Sequence, residues 1–219
     1  MKKNILLISL FFLLLTSCNL HSSKKNDAAF ISELKNNYPS LSESTDIHFQ
    51  KLEKTQVETF LQHGTGILFF GFPECPWCQH YLPLLNEQLA KQGLQAFYYN
   101  IYIDKKEDAP FYDKIAQRLE KDAERLGKNL IHYSSEGRAL IYMPLTLFVE
   151  DGVITYFESE TNDISAKEYN VDTYWTKARK EALFLRNSAA FSSLKKLLDA
   201  KKKEGCENAC GIEKPAVEK

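Results

Sequence analysis

The chain lacks a surplus of charge of either sign. Its 219 residues carry 28 basic and 29 acidic side chains, a formal net charge of -1. A nucleic-acid partner shows as a basic face, so none is expected. Methionine and histidine are scarce, at two and five residues. That disfavours a copper-handling protein built on clustered Met or His. No internal repeat is visible. The apolar run from Ile5 to Leu15, interrupted only by Ser9, is too short to span a bilayer, which takes about 20 residues.

Aromatic residues are plentiful. With 44% apolar residues, 14 Phe and 11 Tyr, there is enough for one ordinary core and therefore one domain. The N-terminus has the form of a targeting segment. Lys2 and Lys3 precede the Ile5–Leu15 run, as in a signal peptide. Leu15-Thr16-Ser17-Cys18 resembles the lipobox of bacterial lipoproteins, in which the Cys is lipidated and becomes the first residue after cleavage. The expected layout is a signal peptide over 1–17 and a lipid-anchored polar tether over 18–46. A domain over 47–203 and a polar, Cys-containing tail over 204–219 follow. The domain is then expected at the cell membrane, facing outside the cytoplasm, and anchored through Cys18. Two or more acyl chains give stable anchoring where one does not.

Setting Cys18 aside leaves four of the five cysteines: Cys75, Cys78, Cys206 and Cys210. Outside the cytoplasm, disulfides persist.

Along the chain, His48–Leu52 reads as a first strand, and Thr55 as the cap of a helix bearing Val57, Phe60 and Leu61. A short helix is expected within the tether, around Ala28–Leu34. Ile67–Phe72 is continuously apolar and reads as a buried central strand. A helix from Pro76 to about Lys91 follows, with Leu82, Leu85 and Leu89 inward. Gln95–Ile103 reads as a second core strand. Asp108-Ala109-Pro110 opens a helix that runs to about Leu126, with Ile115, Leu119 and Ala123 as its stripe. Lys128–Tyr142 has no clear assignment. Leu145–Val149, Asp151-Gly152 and Val153–Phe157 form a hairpin. Val171–Arg186 and Ala189–Lys202 read as two helices, the last with Phe191, Leu194, Leu197 and Leu198 on its apolar face. The order predicts an α/β fold with a mixed sheet of about four to five strands and helices on both faces.

Cys75-Pro76-Trp77-Cys78 stands where the central strand gives way to a helix. A sulfur at a helix N-terminus lies near free backbone N–H groups, which stabilise the thiolate, the species that attacks disulfides. Cys78, one turn on, lies on the same face and is placed to resolve a mixed disulfide. Pro76 suits the first helical position. Zinc is disfavoured as the use of this pair, since Cys206 and Cys210 have looser spacing and His80 is the only nearby imidazole. A purely structural disulfide is the other alternative. No metal and no cofactor is expected.

Phe72-Pro73-Glu74-Cys75-Pro76-Trp77-Cys78 after an apolar strand resembles the thioredoxin-like superfamily, as does Met143-Pro144-Leu145-Thr146-Leu147-Phe148 followed by Asp151-Gly152. The likeness covers roughly residues 47–158 and the last helix. It implies a thioredoxin-like fold, with a helical insert at about 104–142 before the cis-proline strand. Pro144 is then the cis-proline and Met143 the substrate-facing residue, and Pro76 and Trp77 shape the site. The overall layout is most similar to exported thioredoxin-like lipoproteins such as the bacteriocin-transport-accessory group. Two departures stand out. Phe69 occupies the place of a buried acid, and Glu74 that of a Trp. A carboxylate at Glu74 is expected to oppose the lowering of the Cys75 pKa.

The expected function is thiol–disulfide exchange on exported proteins or peptides, with Cys75 as nucleophile and Cys78 as resolving thiol. A membrane electron donor or a transporter is a further expected partner. The competing reading is a membrane-tethered binding module for export of a peptide or protein, its redox activity secondary. Cys206 and Cys210 are expected to form a second, local disulfide. A relay with Cys75, free thiols and metal binding are the alternatives for that pair. His80 reads as a surface residue.

Overall fold

Ile67–Phe70 is apolar at every position, and it forms the centre of a sheet. The computed structural model describes residues 20–41, 46–159 and 170–203. Among them, strands β1 (Phe49–Lys51), β2 (Gly66–Phe70), β3 (Ala96–Tyr99), β6 (Leu145–Glu150) and β7 (Val153–Glu158) make a five-stranded sheet in the order β1-β3-β2-β6-β7. β1, β3 and β2 run parallel, and β6 and β7 run antiparallel to their neighbours. The protein is therefore α/β with a mixed sheet. Every residue of β2 is buried, because strands flank it on both edges and helices cover both faces.

Side chains alternate across a strand, so β2 feeds two cores. Ile67 and Phe69 pack with α1 (Leu20–Asn37), α3 (Pro76–Gln92) and α7 (Lys177–Lys203). Leu68 and Phe70 pack with α2 (Lys54–His63), α4 (Ile101–Glu107) and α5 (Ala109–Arg125). Ile115, Leu119 and Ala123 are buried on α5, as their helical spacing predicts.

Several elements differ from the sequence reading, each for a local reason. α2 starts two residues earlier than a Thr55 cap implies, with Glu53 as cap and its N–H donating to Gln56 Oε1 at 2.8 Å. The strand expected through Ile103 stops at Tyr99. There the Asn100 side chain accepts from the Tyr102 N–H at 3.2 Å and opens α4, so an N-cap overrides the β-propensity of Tyr102 and Ile103. The unassigned stretch 128–142 holds a hairpin of β4 (Ile131–Tyr133) and β5 (Ala139–Ile141). Its turn is closed by Ser134 Oγ, which accepts from the N–H groups of Glu136 and Arg138. The segment 104–142, expected to be a helical insert, thus holds the end of α4, all of α5 and a hairpin. The two late helices are a short α6 (Val171–Tyr174) and one continuous α7, which passes straight through the apparent break at Asn187. Asn187 is fully buried, and its amide donates to Gln88 Oε1 at 3.1 Å.

The largest difference lies in the segment expected to be a tether. Phe30, Leu34, Tyr38 and Leu41 are buried in the β1–β3 side of the first core. Phe30 and Leu34, four apart, share one face of α1, and Tyr38 and Leu41 continue the stripe into the turn after it. Lys, Asn and Ser on the other positions dilute the composition and conceal the stripe. The packed body therefore begins well before residue 47.

Candidate active site

The chain leaves β2 through Gly71-Phe72-Pro73-Glu74 and enters α3 at Pro76. Cys75 is the N-cap of that helix, in an extended conformation with φ -81 and ψ 112. The Cys75 N–H donates to the Phe72 carbonyl at 3.2 Å, and the Gln79 N–H donates to the Cys75 carbonyl at 3.1 Å. Cys75 Sγ accepts from the Cys78 N–H at 3.1 Å. Pro76, at N1, removes an N–H that would have no intrahelical partner. The N-cap role is usually filled by an oxygen side chain. Here a sulfur fills it, so the first-turn amides of α3 are directed at the atom that must carry charge.

Both thiols are reduced. They differ in burial, with Cys75 5% exposed and Cys78 0%. The hydrogen bond from the Cys78 side chain holds the Cys75 thiol below its ordinary pKa. The N–H groups of Cys78 and Trp77 act in the same sense, against the opposing effect of burial. Burial pushes the Cys78 thiol up, and negative charge on Cys75 adds to that. The two ionisations are therefore driven apart, with the charge placed on the more accessible sulfur. Glu74, expected to work against this, is exposed, where solvent screens its carboxylate.

The Met143–Pro144 peptide bond is cis, the configuration that the resemblance implies. It leads into β6, and the Cys75 Sγ lies 3.5 Å from the Met143 carbonyl, to which the thiol donates when protonated. Pro144 is buried, and Met143 is half-buried. Aromatic pairs flank the motif. Trp77 meets Tyr174 of α6 edge-on, with ring centroids 5.0 Å apart. Phe72 stacks on Tyr102 of α4 at 4.3 Å, with an interplanar angle of 11°. His80 is part-exposed, with Nε2 at 3.1 Å from Asp172 Oδ1, a second link between α3 and α6.

Phe69 fills the place expected of a buried acid. Its ring stacks on Tyr81 at 6.0 Å and 9°, and packs against Phe49 and Tyr98. Two pairs of buried hydroxyls lie close to it. Tyr38 and Tyr98 share a hydrogen bond of 3.2 Å, and Tyr81 and Thr146 share one of 3.0 Å. Burial holds the Tyr38, Tyr81 and Tyr98 hydroxyls above the ordinary tyrosine range, so all three stay protonated at neutral pH.

No family model, curated protein or solved structure matches the chain. What the site can do follows from its own geometry. The structure brings Cys75, Pro76, Trp77, Cys78, Met143 and Pro144 to one place. Cys18, Cys206 and Cys210 lie outside the described residues. Among the described residues there is no cluster of three or more His, Cys, Asp or Glu side chains able to hold a metal, and no helix long and apolar enough to cross a membrane. The sequence reading missed Tyr102, Tyr174, Gln79 and Tyr38 as neighbours of the motif. Only Tyr38 left a signal, as the third member of the 30-34-38-41 stripe.

Proposed function

We propose that the protein is a thiol–disulfide oxidoreductase of thioredoxin-like fold, anchored through lipid on Cys18 to the outer face of the cell membrane. It exchanges disulfides of exported proteins or peptides. The observation that carries this reading is the contact of 3.1 Å between the Cys78 N–H and the N-cap sulfur of Cys75, with Cys78 buried one turn behind. The cis Met143–Pro144 bond beside that sulfur supports the fold assignment.

In the reducing direction, the Cys75 thiolate attacks one sulfur of a client disulfide. A Cys75–client disulfide forms, and the other client sulfur leaves as thiolate and takes a proton from solvent. Cys78 then loses its proton and attacks Cys75 Sγ. The Cys75–Cys78 disulfide forms, and the second client sulfur departs and is protonated. Two electrons pass from the protein dithiol to the client, and the reverse sequence oxidises a client dithiol. Burial of Cys78 delays its ionisation until the mixed disulfide has removed the charge on Cys75.

Cys75→Ser should abolish both insulin-disulfide reduction and dithiol oxidation. Activity retained in that variant would refute the reading. A redox titration of the pair assigns the direction: a potential near that of thioredoxin, about -270 mV, marks a reductant, and a much higher one an oxidase or isomerase.

A further inference from the structure

Gln79 sits one residue beyond the Cys-x-x-Cys motif, and its side chain faces away from the thiols' own hydrogen bonds. Its amide nitrogen donates to two carbonyls at once, Pro73 at 2.6 Å and Asn37 at 2.7 Å. Pro73 belongs to the loop that delivers Cys75, and Asn37 is the last residue of α1. A third bond closes the joint, because Ser40 Oγ donates to the Gln79 carbonyl at 3.2 Å. Beneath it Tyr38, fully buried, bonds to Tyr98 of β3 at 3.2 Å. The end of α1 and the turn after it are thus seated on the first turn of the redox helix by two hydrogen bonds, while the same Gln79 amide also holds the Pro73 carbonyl and Tyr38 anchors the turn to β3.

We propose that Gln79 is a positioning residue for Cys75, and that through it the turn following α1 forms part of the redox site. The inference rests on the oxidoreductase reading for its functional meaning. Its physical basis is separate. The 71–75 loop has few internal bonds, the only backbone one being Cys75 N–H to Phe72 O among the described contacts. The Gln79 amide ties that loop to α3 from the side and so fixes the distance between Cys75 Sγ and the Cys78 N–H. With the amide removed, the Pro73 and Asn37 carbonyls lose a donor, the loop loosens, and the sulfur loses its fixed register over the helix N-terminus. The Cys75 thiolate then becomes less favoured. Residues 37–40, within the segment expected to be a tether, are on this account a component of the site.

The test uses the full chain with Gln79→Met, which keeps the side-chain length and deletes both donors. The pH dependence of iodoacetamide alkylation at Cys75, read peptide by peptide by mass spectrometry, reports the thiolate directly. Gln79→Met should raise the apparent pKa of Cys75 by about half a unit or more, a roughly threefold loss of thiolate below it. Amide exchange over residues 28–41 should quicken in the same variant. Leu34→Ala, which loosens α1 from the core, should shift Cys75 in the same direction. The double variant should show less than the sum, as expected of residues acting through one joint. A Gln79→Met protein with wild-type circular dichroism and an unchanged Cys75 titration would overturn the proposal. The alkylation needs no client, so the two ideas fail separately. A wild type inactive on disulfides sinks the oxidoreductase reading, and an active wild type indifferent to Gln79→Met sinks the positioning role alone.

Discussion

Gly71 lies against the core just before the Cys75–Cys78 motif, and Gly71→Ala measures how tightly it is packed there. A Cβ built at Gly71 falls 2.4 Å from Phe69 Cε1, 2.5 Å from Cζ, and 3.4 Å from Cys78 Sγ. Carbon atoms in ordinary contact are about 3.5–4.0 Å apart, so the Phe69 ring must retreat by roughly 1 Å. It has nowhere to go, being fully buried against Tyr81, Tyr98 and Phe49. Overpacking of this kind costs about 1–3 kcal/mol. Taking about 2 kcal/mol, a domain of this size should lose roughly 4–8 °C in Tm. The assay is thermal unfolding of the reduced full chain followed by circular dichroism. Phe69→Leu supplies the control, since it costs stability alone yet vacates the space the new methyl needs. The double variant should therefore recover about 1 kcal/mol relative to the sum of the singles. A Tm for Gly71→Ala within 1 °C of wild type (on the order of the error such melts carry) would refute the packing argument. So would strict additivity with Phe69→Leu.

The two thiols should impose opposite pH dependences on the stability of the reduced protein. Between the lowered folded value of Cys75 and the ordinary thiol range, the unfolded chain binds more protons, so stability rises with pH. Above that range the unfolded chain also ionises Cys78 while the folded one keeps it protonated, so stability falls. Denaturant melts across that range, compared with the oxidised protein, read both limbs; a flat profile contradicts the assignment. Tyr112→Phe removes the hydroxyl that accepts from the Ile141 N–H at 2.8 Å and leaves a buried amide unpaired. It should cost about 1–3 kcal/mol in chemical denaturation, and no loss would contradict it. Phe191→Ala deletes the ring that meets Phe148 edge-on at 5.0 Å and should cost about 3–5 kcal/mol by the same measurement.

The parts of the fold that were legible carry a local signature. β2 is a continuous apolar run, α5 opens with an Asp cap and a Pro, and the β6–β7 hairpin turns at Asp151-Gly152, where both residues have positive φ (50 and 78). At the site, Cys75, Cys78 and Pro144 were visible because their chemistry depends on residue type. The parts that were illegible depend on tertiary partners. Asn187 reads as a break until Gln88 accepts its amide inside the core. Gln79 leaves no signal in the sequence, because both of its acceptors are backbone carbonyls, which any sequence supplies. The helix around Ala28–Leu34 was legible but its docking was not, since Phe30 and Leu34 on α1, with Tyr38 and Leu41 in the turn after it, are enough to seat a mostly polar segment on the core.

The central sheet acts as a partition. The thiol pair, α1, α3 and α7 belong to one compartment, and α2, α4, α5 and the β4–β5 hairpin to the other. Met143 packs against both. The far compartment, α5 and the hairpin included, can therefore be rebuilt while the packing around the thiol pair stays largely undisturbed behind a wall of backbone. Two passages cross it, Met143 beside the cis-proline and the stack of Phe72 on Tyr102 of α4, so a change in the far layer can reach the sulfur through either. Evolutionary freedom and chemical constraint are in this way assigned to opposite sides of one five-stranded sheet.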